Sequence, residues 1–370
     1  MYVFLNLFQS RFEKIIEVMA DKKIDAIWLF PSANMYYLTG FWPSAQDRAI
    51  LSILSKTGES IFIIPEIYER QISRQTWIKD IRVWRKKIDF ETLLNEAVRE
   101  LSLSNAKIAV EDRTWAKFLM RIQKKISRAK FSLASSILNE LRIRKSAVEA
   151  KFMKTAGKMA EEIMKDVIEE LEVGMSELEI SGLIEYLSRK KGSQRMSFET
   201  MVSFGQNSSN PHSEPSKRRL RKKDIIVIDL GPKYEGYCSD ITRTIFLGEI
   251  SKKAKKVYEA VSEAQDRALL AVKPGIKACE LDGVARKVIS EYGFKKFFIH
   301  GTGHGIGLDI HEEPYITKES DMGIEKDMAF TIEPGIYLPG KFGIRIEDSL
   351  LVTEDGHDIL TAYPKDLYMV

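Results

Sequence analysis

The chain has 370 residues, 44% hydrophobic and 30% charged, with 57 Lys and Arg against 53 Asp and Glu for a net charge of +4. That length exceeds one ordinary domain and supports a core without disulfide staples, which sets aside the disordered and disulfide-scaffold classes. So small a positive excess calls for no nucleic acid, and no apolar stretch approaches the roughly 18 residues of a membrane span. The start, MYVFLNLFQSRF, has no basic leader and no small-residue cleavage site, and it runs into an amphipathic pattern, so it reads as mature protein. Strand-like runs follow at 25–31 (IDAIWLF), 49–55 (AILSILS), 60–66 (SIFIIPE), 81–86 (IRVWRK) and 107–112 (KIAVED), with helical patterns between them such as DFETLLNEAVRELSL. That alternation predicts an α/β domain over residues 1–139.

The pattern changes near residue 140. LRIRKSAVEAKFMKTAGKMAEEIMKDVIEELEVG reads as one long helix stopped by Gly174 as its C-cap. Ser176 and Glu179 form a capping-box signature that opens a second helix, SELEISGLIEYLSRKKG. Two more helices lie in SKKAKKVYEAVSEAQDRALLAV and CELDGVARKVISEYG. Two hairpins complete the set: DIIVIDLG returns through GPKYEGY to CSDITRTIFLG, and MAFTIEPGIYL returns through PGKFG to IRIEDSLLVT. Helices combined with antiparallel hairpins make residues 140–370 an α+β domain. Cys238 and Cys279 are the only cysteines and form no CxxC, which fits a reducing cytoplasm.

Each hairpin carries two acids placed evenly about its turn. Asp229 and Asp240 have their midpoint in KYEG, and Glu333 and Glu347 have theirs at Gly340. Residues equidistant from a turn become cross-strand neighbours, so each hairpin is expected to present a carboxylate pair. An ionised carboxylate after IIVI, or inside MAFTIEPGIY, is costly unless it is paired, protonated or bound to a cation. Between the hairpins, HGTGHGIGLDIHEEP (300–314) holds three of the chain's five histidines, spaced by glycines. Two divalent cations would neutralise four carboxylates, and one imidazole adds a ligand without charge. Oxygen ligands with one nitrogen suit Mn²⁺, Co²⁺ or Zn²⁺. Paired metals lower the pKa of a shared water, which makes such a site hydrolytic.

In that order, Asp229, Asp240, His304, Glu333 and Glu347 resemble the five ligands of the pita-bread metallopeptidases, with matching spacings of 11, 64, 29 and 14 residues. VIDLG, SDITRT, HGTGHGIGLDIHE, TIEPGIY and GIRIEDSLLVT are the similar strings, and they cover the C-terminal domain. Within the family the chain looks most like the Xaa-Pro peptidases, prolidase and aminopeptidase P. NMYYLTGF (34–41) resembles a motif of their N-terminal α/β domain, whereas methionine aminopeptidases usually lack such a domain and creatinases lack the ligands. The resemblance implies a creatinase/prolidase-like α/β domain followed by a pita-bread catalytic domain with two divalent metal ions, usually in a homodimer. It implies His304 as the imidazole ligand, with glycines 303, 305 and 307 allowing backbone and metal to approach. His212 and His311 would contact substrate, and His300 would be a further active-site histidine. Glu333 would also shuttle a proton, Arg345 would orient an acidic ligand, and Phe198 and Ile310 would wall a proline slot. His357 is left as a surface-turn residue.

The expected substrate is a peptide with proline second, and the reading leans to an Xaa-Pro dipeptidase. Tyr315 departs from the archaeal-type prolidases, which tend to carry an arginine there for a dipeptide's carboxylate. Either Lys318 substitutes, or the chain takes longer peptides as an aminopeptidase P does. A catalytically inactive pita-bread protein that binds a peptide or partner is the rival of another class, disfavoured by the intact ligand set. GIYLPGKF lacks a P-loop's terminal hydroxyl, HEEPY lacks the second histidine of HExxH, and GTGHGIG is not GxGxxG. The basic run SKRRLRKKD (216–224) has no interleaved aromatics and reads as a solvated loop.

Overall fold

The apolar stripe of the N-terminal segment, Phe8, Phe12, Ile15 and Met19, repeats at helical spacing and is buried on one face of helix α1 (Tyr2–Asp21). This computed structural model describes residues 2–42 and 48–365, so Met1 of that segment lies outside the described residues. The chain forms two compact units, Met1–Arg142 and Ile143–Val370.

The first unit is built on six strands: β1 (Ala26–Leu29), β2 (Leu51–Ser55), β3 (Ser60–Pro65), β4 (Asp80–Trp84), β5 (Lys107–Val110) and β6 (Lys130–Leu133). Their order is β4-β3-β2-β1-β5-β6, with antiparallel pairs at the centre and parallel pairs outside. Every residue of β1 and β2 is buried, which is why both read as nearly unbroken apolar runs. β6 has no such signature because it is an edge strand with exposed side chains, and the sequence reading missed it. Helices α2 (Ala33–Thr39), α3 (Glu69–Gln75), α4 (Phe90–Glu100), α5 (Ala116–Lys125) and α6 (Ser135–Arg142) complete the unit. The NMYYLTGF stretch forms α2. Buried Glu111 accepts hydrogen bonds from Ser32 Oγ (2.7 Å) and Asn34 Nδ2 (3.0 Å), while Arg142 donates to Asn34 Oδ1 (2.7 Å). Burial raises the Glu111 pKa in spite of those donors.

The long helix predicted over 141–174 is in fact a break followed by α7 (Ala147–Glu169). Ser146 stops the pattern: its side chain accepts from Glu149 N, and the Glu149 carboxylate accepts from Ser146 N (2.9 Å). This capping box was hidden because apolar periodicity runs straight across it. Gly174 has a left-handed φ of 98°, yet it belongs to the turn beyond the helix, whose C-cap is Glu170. Helix α8 (Glu177–Lys190) opens with the expected Ser176–Glu179 box. Strands β7 (Met201–Phe204), β8 (Ile225–Leu230), the short ribbon β9 (Lys233–Tyr234) and β10 (Tyr237–Cys238), and β11 (Ile241–Phe246) follow. Next come α9 (Lys252–Ala271) and α10 (Ala278–Glu291), then β12 (Gly303–Gly305), β13 (Glu312–Ile316), β14 (Ala329–Ile332), β15 (Gly335–Leu338), β16 (Phe342–Arg345), β17 (Asp348–Val352) and β18 (His357–Ile359). His357 is therefore a strand residue paired with Val352 rather than a turn residue.

Two cores organise this second unit. The first packs α7 and α8 on the sheet β11-β8-β7; the second packs α9 and α10 against β14, β16 and β17. Both cores are apolar on the helix side, and the chemistry-bearing residues lie on the strands they support or in the short joins between them. Replacing Ser146 by Ala removes a helix cap and is expected to cost about 1 kcal/mol of stability, read as a lower urea midpoint; an unchanged midpoint would contradict the cap's role.

Candidate metal centre

The first hairpin brings its two aspartates together, but two residues away from the predicted pairing. Thr242, not Asp240, stands opposite Asp229, which leaves Asp240 diagonal to Asp229 just before β11. The cause is the turn. Glu235 and Gly236 both take positive φ (48° and 83°), so the loop closes as a two-residue turn between Tyr234 and Tyr237. Its centre falls one residue later than even spacing suggested, and that moves the pairing by two.

The second hairpin keeps the expected register. Ile332 pairs with Asp348 and Gly335 with Arg345, so Glu333 and Glu347 face each other in the gap between the two paired stretches. Their amides are satisfied elsewhere: Glu333 N donates to Thr302 O (2.7 Å) and Glu347 N to Thr242 O (3.1 Å). The acids thus sit where the chain changes strand partners, and both hairpins meet there.

His304 enters on β12. The neighbouring glycines let backbone approach closely, as expected. A Cβ at Gly303 would lie 1.8 Å from Thr331 O, and one at Gly305 would lie 2.2 Å from Glu313 O. At Gly307 the nearest group is the Glu312 carboxylate, 2.5 Å from a Cβ.

One oxygen each of Asp240 and Glu347 and one ring nitrogen of His304 lie within 4.8 Å of one another. His304 Nε2 is 3.6 Å from Asp240 Oδ2 and 3.3 Å from Glu333 Oε1. Its Nδ1 faces Gly305 O at 3.1 Å, and because a carbonyl only accepts, Nδ1 carries the hydrogen and Nε2 presents its lone pair to the acids. Burial lowers the His304 pKa and favours this neutral, ligating form. Asp229 is reached through Arg345, which donates to Asp229 Oδ2 (2.6 Å), Thr242 Oγ1 (3.0 Å), Tyr337 Oη (2.8 Å) and Pro211 O (3.2 Å). Thr242 Oγ1 in turn donates to Glu347 Oε2 (2.6 Å). The Arg345 charge persists although burial opposes it, because Tyr337, Asp229, Glu333 and Glu347 surround it.

Asp229, Asp240, His304, Glu333, Arg345 and Glu347 line a cavity of ≈ 470 Å³. His212, His300, His311, Phe198, Ile310 and Tyr315 line it too. The His311 ring packs edge-on against His304 with centroids 4.3 Å apart. His300 Nδ1 donates to Gly301 O (2.7 Å), so its Nε2 accepts from Tyr337 Oη (3.1 Å). Tyr337 therefore links Arg345 to His300, and burial pushes its hydroxyl pKa up to about 12. The sequence reading missed Tyr337, Thr242 and Thr331, although alternation along the strand puts Tyr337 on the same face as Glu333. Lys318 pairs with Glu319 at 3.4 Å and does not line the cavity, whereas Glu199 and Glu214 do. The basic run spends charge locally: Arg218 binds Asp224, Arg219 reaches Gly174 O, and Lys223 meets Glu249.

The donor set fits divalent cations. Among the described residues, Asp229 Oδ1, Asp240 Oδ1 and Glu347 Oε1 are buried with no hydrogen-bond partner. Buried acceptors in that state are costly unless a cation satisfies them.

Residues 151–354 match Metallopeptidase family M24, and residues 11–144 match the Creatinase/Prolidase N-terminal domain. The chain belongs to the M24 metallopeptidases. It is accordingly a metal-dependent hydrolase with the pita-bread fold, and the family implies divalent metal ions. The M24 chain is 35% identical to an Xaa-Pro dipeptidase of Pyrococcus horikoshii over 98% of its own length and 100% of the relative's. It superimposes on a prolidase from Thermococcus sibiricus with a TM-score of 0.95 at 35% identity, covering 98% of this chain and 99% of that one. An X-Pro aminopeptidase from Thermotoga maritima gives a TM-score of 0.88 at 35% identity, covering 97% and 99%. Among the described residues, no helix is long and apolar enough to cross a membrane.

In the M24 chain, the protein environment alone raises the Asp240 and Glu347 pKa values well above their ordinary carboxylate values. Burial is the main cause and repulsion from the other acids the second; for Glu333 burial again leads an upward shift. Folding then favours their protonated forms, so stability is fullest below the unfolded pKa of about 4 and is lost as pH rises towards the folded values. Cation binding needs the ionised forms. The gain in melting temperature on adding Mn²⁺ to chelator-treated protein is therefore expected to grow from pH 5 to pH 8. A gain independent of pH would contradict this electrostatic picture.

Proposed function

We propose that the chain is an Xaa-Pro dipeptidase that hydrolyses the bond between an N-terminal residue and proline. It would hold two divalent metal ions, Mn²⁺ or Co²⁺ ahead of Zn²⁺, on Asp229, Asp240, His304, Glu333 and Glu347. The observation that carries the reading is the convergence of three buried carboxylates, the half-buried Glu333 and a neutral imidazole on one cavity, with carboxylate oxygens left unsatisfied. Near-full-length likeness to a protein named Xaa-Pro dipeptidase supports the substrate class.

Bound cations would supply an activated water and polarise the scissile carbonyl. The chain's own groups do the rest. Glu333 lies beside His304 and has its pKa raised by burial, so it suits taking a proton from water and passing it to the leaving proline nitrogen. His212 and His311 line the cavity and would hydrogen-bond the substrate and the charge that develops on its carbonyl oxygen. Arg345 fixes Asp229, and through Tyr337 it fixes His300. Because both ring nitrogens of His300 are engaged by the protein, its part is to shape the wall. Phe198 and Ile310 would seat the proline ring. The proposal includes a homodimer in the cytoplasm, the latter supported by unpaired Cys238 and Cys279.

A second reading, aminopeptidase P action on longer peptides, is favoured by a specific feature. Among the described lining residues the only Lys or Arg is Arg345, already committed to four acceptors, while Tyr315, Glu199 and Glu214 are exposed lining residues. Such a wall offers little to a dipeptide's carboxylate.

Glu333→Gln should lower Xaa-Pro hydrolysis by roughly 10²–10⁴-fold with the circular dichroism spectrum intact, the range for loss of a general acid–base; near-native turnover would remove Glu333 from the mechanism. Rates on Xaa-Pro and on Xaa-Pro-Yaa-Zaa decide between the two readings. The dipeptidase reading expects the higher kcat/KM for the dipeptide, and faster cleavage of the tetrapeptide would favour the second.

A further inference from the structure

Glu177, in the first turn of α8, is fully buried (0% exposed) and lies outside the metal centre. Its carboxylate is a hub for one stretch of chain. Oε1 accepts from Phe204 N (2.7 Å) and Asn207 Nδ2 (3.0 Å); Oε2 accepts from Asn207 Nδ2 (3.0 Å), Ser216 N (3.0 Å) and Ser216 Oγ (2.5 Å). The backbone of the same helical turn adds to the grip, with Glu177 N donating to Arg218 O (3.1 Å) and Leu178 N to Ser216 O (3.2 Å). The segment is therefore tied twice near its entry and again at its exit by one side chain.

Between those ties run Pro211, His212, Ser213, Glu214 and Pro215, all of which line the catalytic cavity. Arg345 holds Pro211 O (3.2 Å), so the middle of the segment is also fastened to the metal-side network. The His212 ring is exposed to the cavity and has to be aimed by the backbone that carries it. A loop without such anchors would pay conformational entropy each time it reached its working geometry.

We propose that Glu177 is a positioning residue for the peptidase reaction: it clamps both ends of the 204–216 segment and thereby sets where His212 meets the substrate. The proposal rests on the Xaa-Pro peptidase reading for its activity readout. Charge matters as well as shape. A glutamine keeps the size but turns one acceptor into a donor, and both oxygens face N–H or O–H donors, so either amide orientation sets donor against donor. A displacement of about 1 Å at a substrate-contacting group costs on the order of 10²-fold in rate.

The test compares wild type, E177Q, H212A and the double variant, each metal-loaded, by metal content, amide hydrogen exchange and kcat/KM on an Xaa-Pro peptide. The expected results are unchanged metal content in E177Q, faster exchange confined to residues 204–216, and a kcat/KM lowered about 10²-fold. The double variant should be little worse than H212A, because the clamp acts through His212. An E177Q loss of equal size with or without His212, or unchanged exchange in 204–216, overturns the proposal. Ser216→Ala removes only the hydroxyl arm and should move exchange and kcat/KM the same way by less, so a failure of E177Q to fold does not shield the idea. Wild-type protein that cleaves no Xaa-Pro bond would sink the activity reading, while the exchange comparison would still decide whether Glu177 holds the segment.

Discussion

Buried negative charge is the constraint on which the second unit turns. Asp229, Asp240 and Glu347 are each at least nine-tenths buried, and Glu333 shares their cavity. Four ionised carboxylates so placed repel one another in a medium that screens them poorly. Arg345 offsets one charge and the hydroxyls of Thr242 and Thr331 satisfy single oxygens, yet three buried oxygens remain without a partner among the described residues. Protonation and cation binding are the two ways to relieve that arrangement, and the second gives the site its chemistry.

The fold supplies the rigidity that such a cluster needs. Each hairpin is backed by its own pair of helices and its own apolar core, so the acids are held on or directly beside supported strands. The glycines around His304 let β12 lie close against Thr331 and Glu313, which fixes the imidazole by backbone contact. Arg345 then joins elements remote in sequence, reaching Asp229, Thr242, Tyr337 and the backbone of Pro211.

Much of this was legible in the residues because the chemistry left local marks. Acids inside apolar strands and histidines clustered among glycines are conspicuous, and the Glu333–Glu347 register followed from the even spacing about Gly340. The Asp229–Asp240 register did not, since the positive φ at Glu235 is a tertiary choice that no propensity signals. The break before Ser146 was obscured by continuous apolar periodicity, and β6 by exposure at a sheet edge. Tyr337 and Glu177 left no mark for a different reason: a buried Tyr or Glu shows its role only through its hydrogen-bond partners, and those come from distant parts of the chain.

The central claim is that residues 229, 240, 304, 333 and 347 form a cage for two metal ions, and counting bound metal tests it most directly. Equilibrium dialysis against Mn²⁺, with elemental analysis of the retained protein, should give two equivalents per chain, falling below two in a folded Asp240→Asn, Glu347→Gln double variant. Wild-type protein that retains no metal, or a double variant that retains as much as wild type, would contradict the account.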